Sequence, residues 1–197
     1  MIPVTVASQV ARQLTQAALA PTPKQYQQLQ RTRLLLDVLS TAGPRVEGPQ
    51  IKYRTYAHQL LILLRPSPHD LLYVVPAQGG YRVAGSVDYR DSREIDRAAQ
   101  QVVADRHQSA SAPVDWQRLR MRVPRLSAAD RLILDALAQL HAQRFLQGLS
   151  AAALAARMGV TVAQLAKIER VDTLPSLPTL QRYAEGLGLA LALQVAK

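Results

Sequence analysis

No cysteine occurs anywhere in the 197-residue chain, which excludes a disulfide framework and any thiolate metal site. Its four histidines, His58, His69, His107 and His141, are scattered, without the His-x-Glu or His-(x)3-His spacing that zinc requires. There is no Gly-x-Ser-x-Gly elbow and no phosphate loop. His69-Asp70 sits in a proline-bounded turn, and Gly79-Gly80 reads as a hairpin turn rather than a phosphate cradle. The expectation is a protein without catalytic residues, metal or cofactor, and not an enzyme. A charged-then-apolar leader is missing, since the first basic residue is Arg12 and no long apolar run follows. No stretch approaches the roughly 18 apolar residues of a membrane span, so a cytoplasmic protein with no membrane partner is expected. Acidic residues are also scarce. Against 24 Lys and Arg stand 14 Asp and Glu, a formal charge of +10, which points to an anionic partner.

What is present divides near residue 110. Val10, Leu14, Ala17 and Ala18 predict a helix from Ser8 to Ala20, stopped by Pro21 and Pro23. A second helix is predicted from about Lys24 to Ser40, with Leu29, Leu36 and Leu39 facing inward. Tyr53–Leu64 and Leu71–Val75 are runs rich in Tyr, Leu, Ile and Val, separated by Pro66 and Pro68. Gly79-Gly80 then precedes Tyr81–Tyr89. This predicts a small antiparallel meander with a hairpin turn at Pro76–Gly80. Its tyrosines (Tyr53, Tyr56, Tyr73, Tyr81, Tyr89) could form a binding face, though half-buried strand positions explain them as well. Asp91-Ser-Arg-Glu94 resembles a capping box opening a helix with Ile95, Ala98, Ala99, Val102 and Val103 on one face. Residues 1–108 thus read as an α+β sensor or interaction domain.

From 109 to 126 the periodicity fails. Ser109-Ala-Ser-Ala-Pro113 has linker composition, and Gln117–Arg125 carries four arginines and no acid. Two readings stay open for this basic linker. It is either a solvated tether or an arm whose Arg118, Arg120 and Arg122 lie along phosphates.

The stretch Leu149–Glu169, LSAAALAARMGVTVAQLAKIE, is nearly free of charge and broken once. Ser150 is a good N-cap, and Leu154, Ala155 and Met158 make one buried face of a two-turn helix. Gly159 supplies a left-handed end. Thr161 caps again, and Leu165 and Ile168 give a second short helix its buried side. Two short helices joined by a glycine-containing turn of three or four residues fit a helix-turn-helix; an ordinary helical hairpin is the alternative. Ala152, Ala155 and Ala156 would let the helices approach closely.

Gly148-Leu-Ser-(x)3-Leu-Ala-(x)2-Met-Gly-Val-Thr-(x)3-Leu-(x)2-Ile-Glu169-Arg170, followed by Pro175-Ser-Leu-(x)2-Leu180-(x)2-Tyr183-Ala-Glu-Gly-Leu-Gly188, resembles the Cro/CI-type (XRE) DNA-binding domain. Within that family it is most similar to the antitoxin branch. The resemblance implies an all-α, five-helix, lambda-repressor-like domain, with Leu132, Leu134, Leu137 and Leu140 in its first helix and the whole unit at 127–197. It further implies that Val162–Arg170 lies in the major groove, presenting Val162, Ala163, Ala166 and Lys167. Lys167 would donate to a guanine edge and Val162 would meet a thymine methyl. Thr161, the amides after Ser150, Arg157 and Arg170 would hold phosphates. Gln164 would brace the turn, and Glu169 would partner a backbone amide or an arginine. The family usually has glutamine where this chain has Ala151 and Val162.

After Gly188, strict alternation predicts a strand with Leu189, Leu191, Leu193 and Val195 on one face. Such a strand needs an edge to pair with, and the same strand of a second subunit is the expected one. The resulting expectation is a nucleoid-associated repressor that reads double-stranded DNA as a homodimer. The alternative is an antitoxin-like protein that chiefly neutralises a toxin partner.

Overall fold

Thr22 and Pro23 set the first long element. In the computed structural model, which describes residues 1–19, 21–43, 46, 50–56, 58–88, 92–104, 112–122 and 126–192, the Thr22 hydroxyl accepts from the Gln25 amide while the Gln25 side chain accepts from the Thr22 amide. This reciprocal cap, with proline at the first helical position, starts α2 (Pro23–Ala42). Gly43, at φ 62°, ends it. Leu29, Leu34, Leu35, Leu36, Val38 and Leu39 are all buried. A helix apolar around so much of its girth must be covered on more than one side, and α2 is: a sheet lies on one flank and α5 (Ala128–Leu146) on another.

The sheet has six strands in the order β2-β3-β4-β5-β1-β6. These are β1 (Val4–Val6), β2 (Ile51–Tyr56), β3 (Gln59–Leu64), β4 (Asp70–Ala77), β5 (Gly80–Asp88) and β6 (Val114–Asp115). All neighbours are antiparallel except β1 and β5, which run parallel. The β4–β5 turn falls at Gln78-Gly79, within the expected segment, with Gly79 at φ 73°. The predicted run Tyr53–Leu64 is split into two strands by a tight turn in which His58 takes φ 62°. Alternate residues of β3 and β4 face opposite layers. Ile62, Leu64, Leu72 and Val74 pack toward α2, whereas Leu61, Leu63, Leu71 and Tyr73 pack toward α3 (Ser92–Ala104). Burial on both faces explains why these strands are continuous apolar runs. Tyr73 is fully buried, with its hydroxyl donating to the Ile95 carbonyl.

The sheet is therefore mixed rather than a simple antiparallel meander. The short strands β1 and β6 were not foreseen. Helix α1 (Ser8–Ala17) forms as expected but ends earlier. Asp91 of the expected capping box and Tyr89 lie outside the described residues.

The segment expected to be a basic linker is built into the fold. Its β6 pairs with β1, Val6 opposite Val114, and α4 (Trp116–Leu119) follows directly. Trp116 is fully buried, and its indole Nε1 donates to Asp37 Oδ1 of α2 at 2.7 Å. Arg120 is not displayed as an arm. Its guanidinium lies 3.2 Å from Asp37 and also pairs with Asp135 of α5. Arg33 joins them, donating to Asp135 at 2.7 Å and to the Arg120 carbonyl at 3.1 Å. Arg33 and Asp37 are almost fully desolvated and are neutralised only within this cluster, which Arg120 and the more exposed Asp135 complete. Arg118 and Arg122 remain exposed. One apolar core runs from Val4 to Leu187 across the boundary expected at 108–127, so the two halves share an interior.

Burial pushes the Asp37 carboxyl up to about 6 from its ordinary 3.8, against the opposing pull of Arg120, Trp116 and Arg33. A carboxyl with a raised folded pKa favours folding at low pH, and that contribution is lost as pH rises through about 6. Between pH 7 and pH 5 the wild type should therefore gain about 1 kcal/mol of stability relative to Asp37→Asn. Denaturant unfolding of both proteins at the two pH values checks this; a constant difference would contradict it.

Among the described residues, no single helix is long and apolar enough to cross a membrane.

Candidate nucleic-acid interface

Four helices make up the C-terminal region among the described residues: α5, α6 (Ala151–Met158), α7 (Val162–Glu169) and α8 (Leu177–Gly186). The expected fifth helix is not among them. Helix α5 opens on Ser127, whose hydroxyl accepts from the Asp130 amide. Its buried stripe is Leu134, Leu137, Ala138, His141 and Phe145. Leu132 falls off that stripe by two residues and is 50% exposed, which corrects its expected place in the core.

Each boundary of the α6–α7 pair has a local cause. Ser150 Oγ accepts from the Ala153 amide at 3.1 Å. Gly159, at φ 65° and ψ 34°, ends α6 in the left-handed region that a side chain would strain. Thr161 and Gln164 form a capping box, with Thr161 Oγ1 accepting from the Gln164 amide at 3.1 Å and Gln164 Oε1 from the Thr161 amide at 2.8 Å. The two axes turn by 103°, within the range of a helix-turn-helix. Leu154, Ala155, Met158 and Leu165 are buried between the helices and α8. Gly186 of α8 packs tightly on α6: a Cβ there would lie 2.8 Å from Leu154 Cδ1 and 3.0 Å from Met158 Cγ, so those side chains would have to shift.

The end of α7 is fixed by a buried ionic cluster. Arg144 of α5 donates from Nε to Glu169 Oε1 at 2.7 Å and from Nη2 to Oε2 at 3.1 Å. Tyr183 of α8 donates to Glu169 Oε1 at 2.8 Å, and His141 Nε2 lies 3.3 Å from Oε2. Burial alone would raise the Glu169 carboxyl, but His141, Arg144 and Tyr183 together lower it to about 2 from 4.5. The arginine expected for Glu169 is thus Arg144, and three helices meet at one carboxylate.

On the outer side of α7, Val162 is 49% exposed, and Ala163 and Lys167 are exposed. Ser150, Val162, Ala166 and Arg170 line one cleft. Lys167 and Gln164 line a second, on the other flank, together with Ser176, Thr179 and Arg182. Some expected phosphate-binding cations have partners already. Arg157 donates to the Gly186 carbonyl at 3.3 Å, and Arg170 pairs with Asp172 at 2.8 Å. Arg118, Arg120 and Arg122 lie on α4 and the turn after it, and Arg120 is engaged with Asp37 and Asp135.

The contacts from α2 have no local signature in the sequence. Arg31 donates to the Arg170 carbonyl at 2.9 Å and to Asp172 Oδ1 at 2.8 Å, and Gln27 donates to the Asp172 carbonyl at 2.7 Å. They lie about 140 residues away along the chain, so no local pattern could announce them.

The terminal strand does not form over the part described. Residues 189–192 are without regular structure, Leu189 is exposed and Leu191 is half-buried against the core. A strand needs a ladder partner, and none is placed beside residues 189–192 among the described residues. Leu193 and Val195 lie outside the described residues.

Caps, left-handed glycine, helix angle and packed interior define a helix-turn-helix DNA-binding unit. Residues 140–194 match the family model described as Helix-turn-helix, and this region is a helix-turn-helix domain of the Cro/CI (XRE) type. No curated protein and no solved structure matches the chain.

Proposed function

We propose that the protein is a transcriptional repressor that reads an operator as a homodimer, with α7 in the major groove. The observation that carries this reading is the capped α6–α7 pair, whose second helix leaves Val162, Ala163 and Lys167 exposed. In this reading Lys167 donates to a base edge and Val162 and Ala166 meet apolar base surface. The amides following Ser150 and Thr161, with Arg170, hold phosphates. Arg170 can exchange Asp172 for a phosphate without stranding a charge, because Arg31 also holds that aspartate. The C-terminal segment carrying Leu189, Leu191, Leu193 and Val195 pairs with its copy in a second chain. Leu189, left exposed in the single chain, supports that assignment.

Lys167→Ala should lower affinity for the preferred duplex by about 1–3 kcal/mol while leaving random-sequence binding little changed. Arg170→Ala should weaken both alike. Competition titrations at fixed salt separate the two, and equal losses for Lys167→Ala would make it a phosphate contact only.

A further inference from the structure

Helices α5, α6 and α8 close in one way. Just past each last turn stands a glycine with positive φ: Gly148 at 64°, Gly159 at 65° and Gly188 at 74°. The glycine amide and the next amide both donate back into the helix. This closure requires a left-handed residue, which is why glycine usually fills it. Helix α7 makes the same closure with valine. The Val171 amide donates to the Ile168 carbonyl and the Asp172 amide to the Lys167 carbonyl, both at 3.0 Å, while Val171 itself sits at φ 54°. A β-branched residue in that conformation crowds its own backbone, so it persists only where its surroundings hold it.

Helix α2 supplies the hold. Three successive carbonyls of the turn accept from it. That of Arg170 takes Arg31 Nε at 2.9 Å, and those of Val171 and Asp172 take Gln27 Nε2 at 3.3 and 2.7 Å. Arg31 Nη2 also grips the Asp172 carboxylate at 2.8 Å. Val171 is 1% exposed, with its side chain in the common core. Turning it to negative φ would break both closing bonds, one of which ends on the Lys167 carbonyl.

We infer that Gln27 and Arg31 are positioning residues for base reading: they clamp the left-handed turn at Val171, and the clamped turn fixes the last turn of α7, from which Lys167 projects. This rests on the reading of α7 as the DNA-reading helix. Glu169 anchors the buried side of α7, whereas the clamp governs its carboxyl end. The half of the chain that carries the sheet thereby sets how sharply the other half discriminates between duplexes.

The test loosens the clamp at constant charge. Gln27→Ala combined with Arg31→Lys removes the amide donor and the guanidinium fork but keeps the cation, so attraction to phosphates is retained. In competition titrations the advantage of the preferred duplex over random sequence should fall about tenfold, the scale of one base contact, with random-duplex affinity unchanged. Adding Val171→Gly, which takes the turn conformation unaided, should restore that advantage; if the loss were one of packing, the smaller side chain would deepen it. Hydrogen exchange in the DNA-free full chain is the second arm. The Asp172 amide should exchange at least about tenfold faster in the loosened variant and recover with Val171→Gly. The Val160 amide, which closes α6 on the Ala155 carbonyl, should not change. Unaltered exchange at Asp172, an equal rise at Val160, or no recovery with Val171→Gly overturns the clamp. The expected exchange with an undiminished duplex preference overturns the positioning role. The expected exchange in a chain that prefers no duplex contradicts the reading of α7 instead, leaving the clamp supported.

Discussion

Glu169→Ala is expected to destabilise the folded chain by about 3–5 kcal/mol, the scale for removing one partner of a buried ion pair. The variant strands the Arg144 guanidinium, which is 7% exposed and directs two of its nitrogens at this carboxylate. It also removes the acceptor of the buried Tyr183 hydroxyl. Urea unfolding followed by far-UV circular dichroism measures the loss; a change under about 1 kcal/mol would show that the cluster is not holding α5, α7 and α8 together. The same geometry fixes a sign with pH. Since the folded carboxyl is lowered to about 2 from 4.5, its contribution is complete above the unfolded value and is lost as pH falls through the range between them. Glu169 and Asp37 therefore act in opposite directions on acidification.

Trp116→Ala should be as damaging, about 3–5 kcal/mol. The indole is fully buried in the segment that sequence alone makes a linker, and its removal leaves a large void and takes the 2.7 Å donor from Asp37. Because one core spans both halves, the loss should be felt everywhere. Far-UV ellipticity and tyrosine fluorescence should report a single shifted transition. Helices that outlast the sheet in the variant would instead mean two independently folding domains.

These two sites mark the limit of what local sequence can reveal. The α6–α7 unit is legible because its signals are contiguous: Ser150 and Thr161 cap, Gly159 turns, and Leu154, Met158 and Leu165 repeat at helical spacing. The β4–β5 hairpin is legible for the same reason. Helix α2 was legible in extent, but not in its role between sheet and α5. Parallel pairing of β1 with β5 joins Val4 to Tyr81, and strands of three and two residues are too short to show alternation. Arg120 reads as a free cation until Asp37 and Asp135 are brought beside it by folding. The alternation after Gly188 is real as pattern, yet among the described residues no ladder partner lies beside 189–192. Of the α7 face proposed to enter the groove, helical spacing turns Val162, Ala163 and Lys167 outward, and all three are exposed. It could not show that Val162 and Ala166 share a cleft with Leu35 and Ile51.

Selection of bound duplexes from a random-sequence pool by the full chain tests the central claim most directly. Enrichment of a two-fold symmetric motif, with half-sites about 10–10.5 base pairs apart, is expected, together with loss of preference at one position per half-site for Lys167→Ala. A bound pool no different in sequence from the starting pool would contradict base reading by α7, and an enriched motif without two-fold symmetry would contradict the dimer.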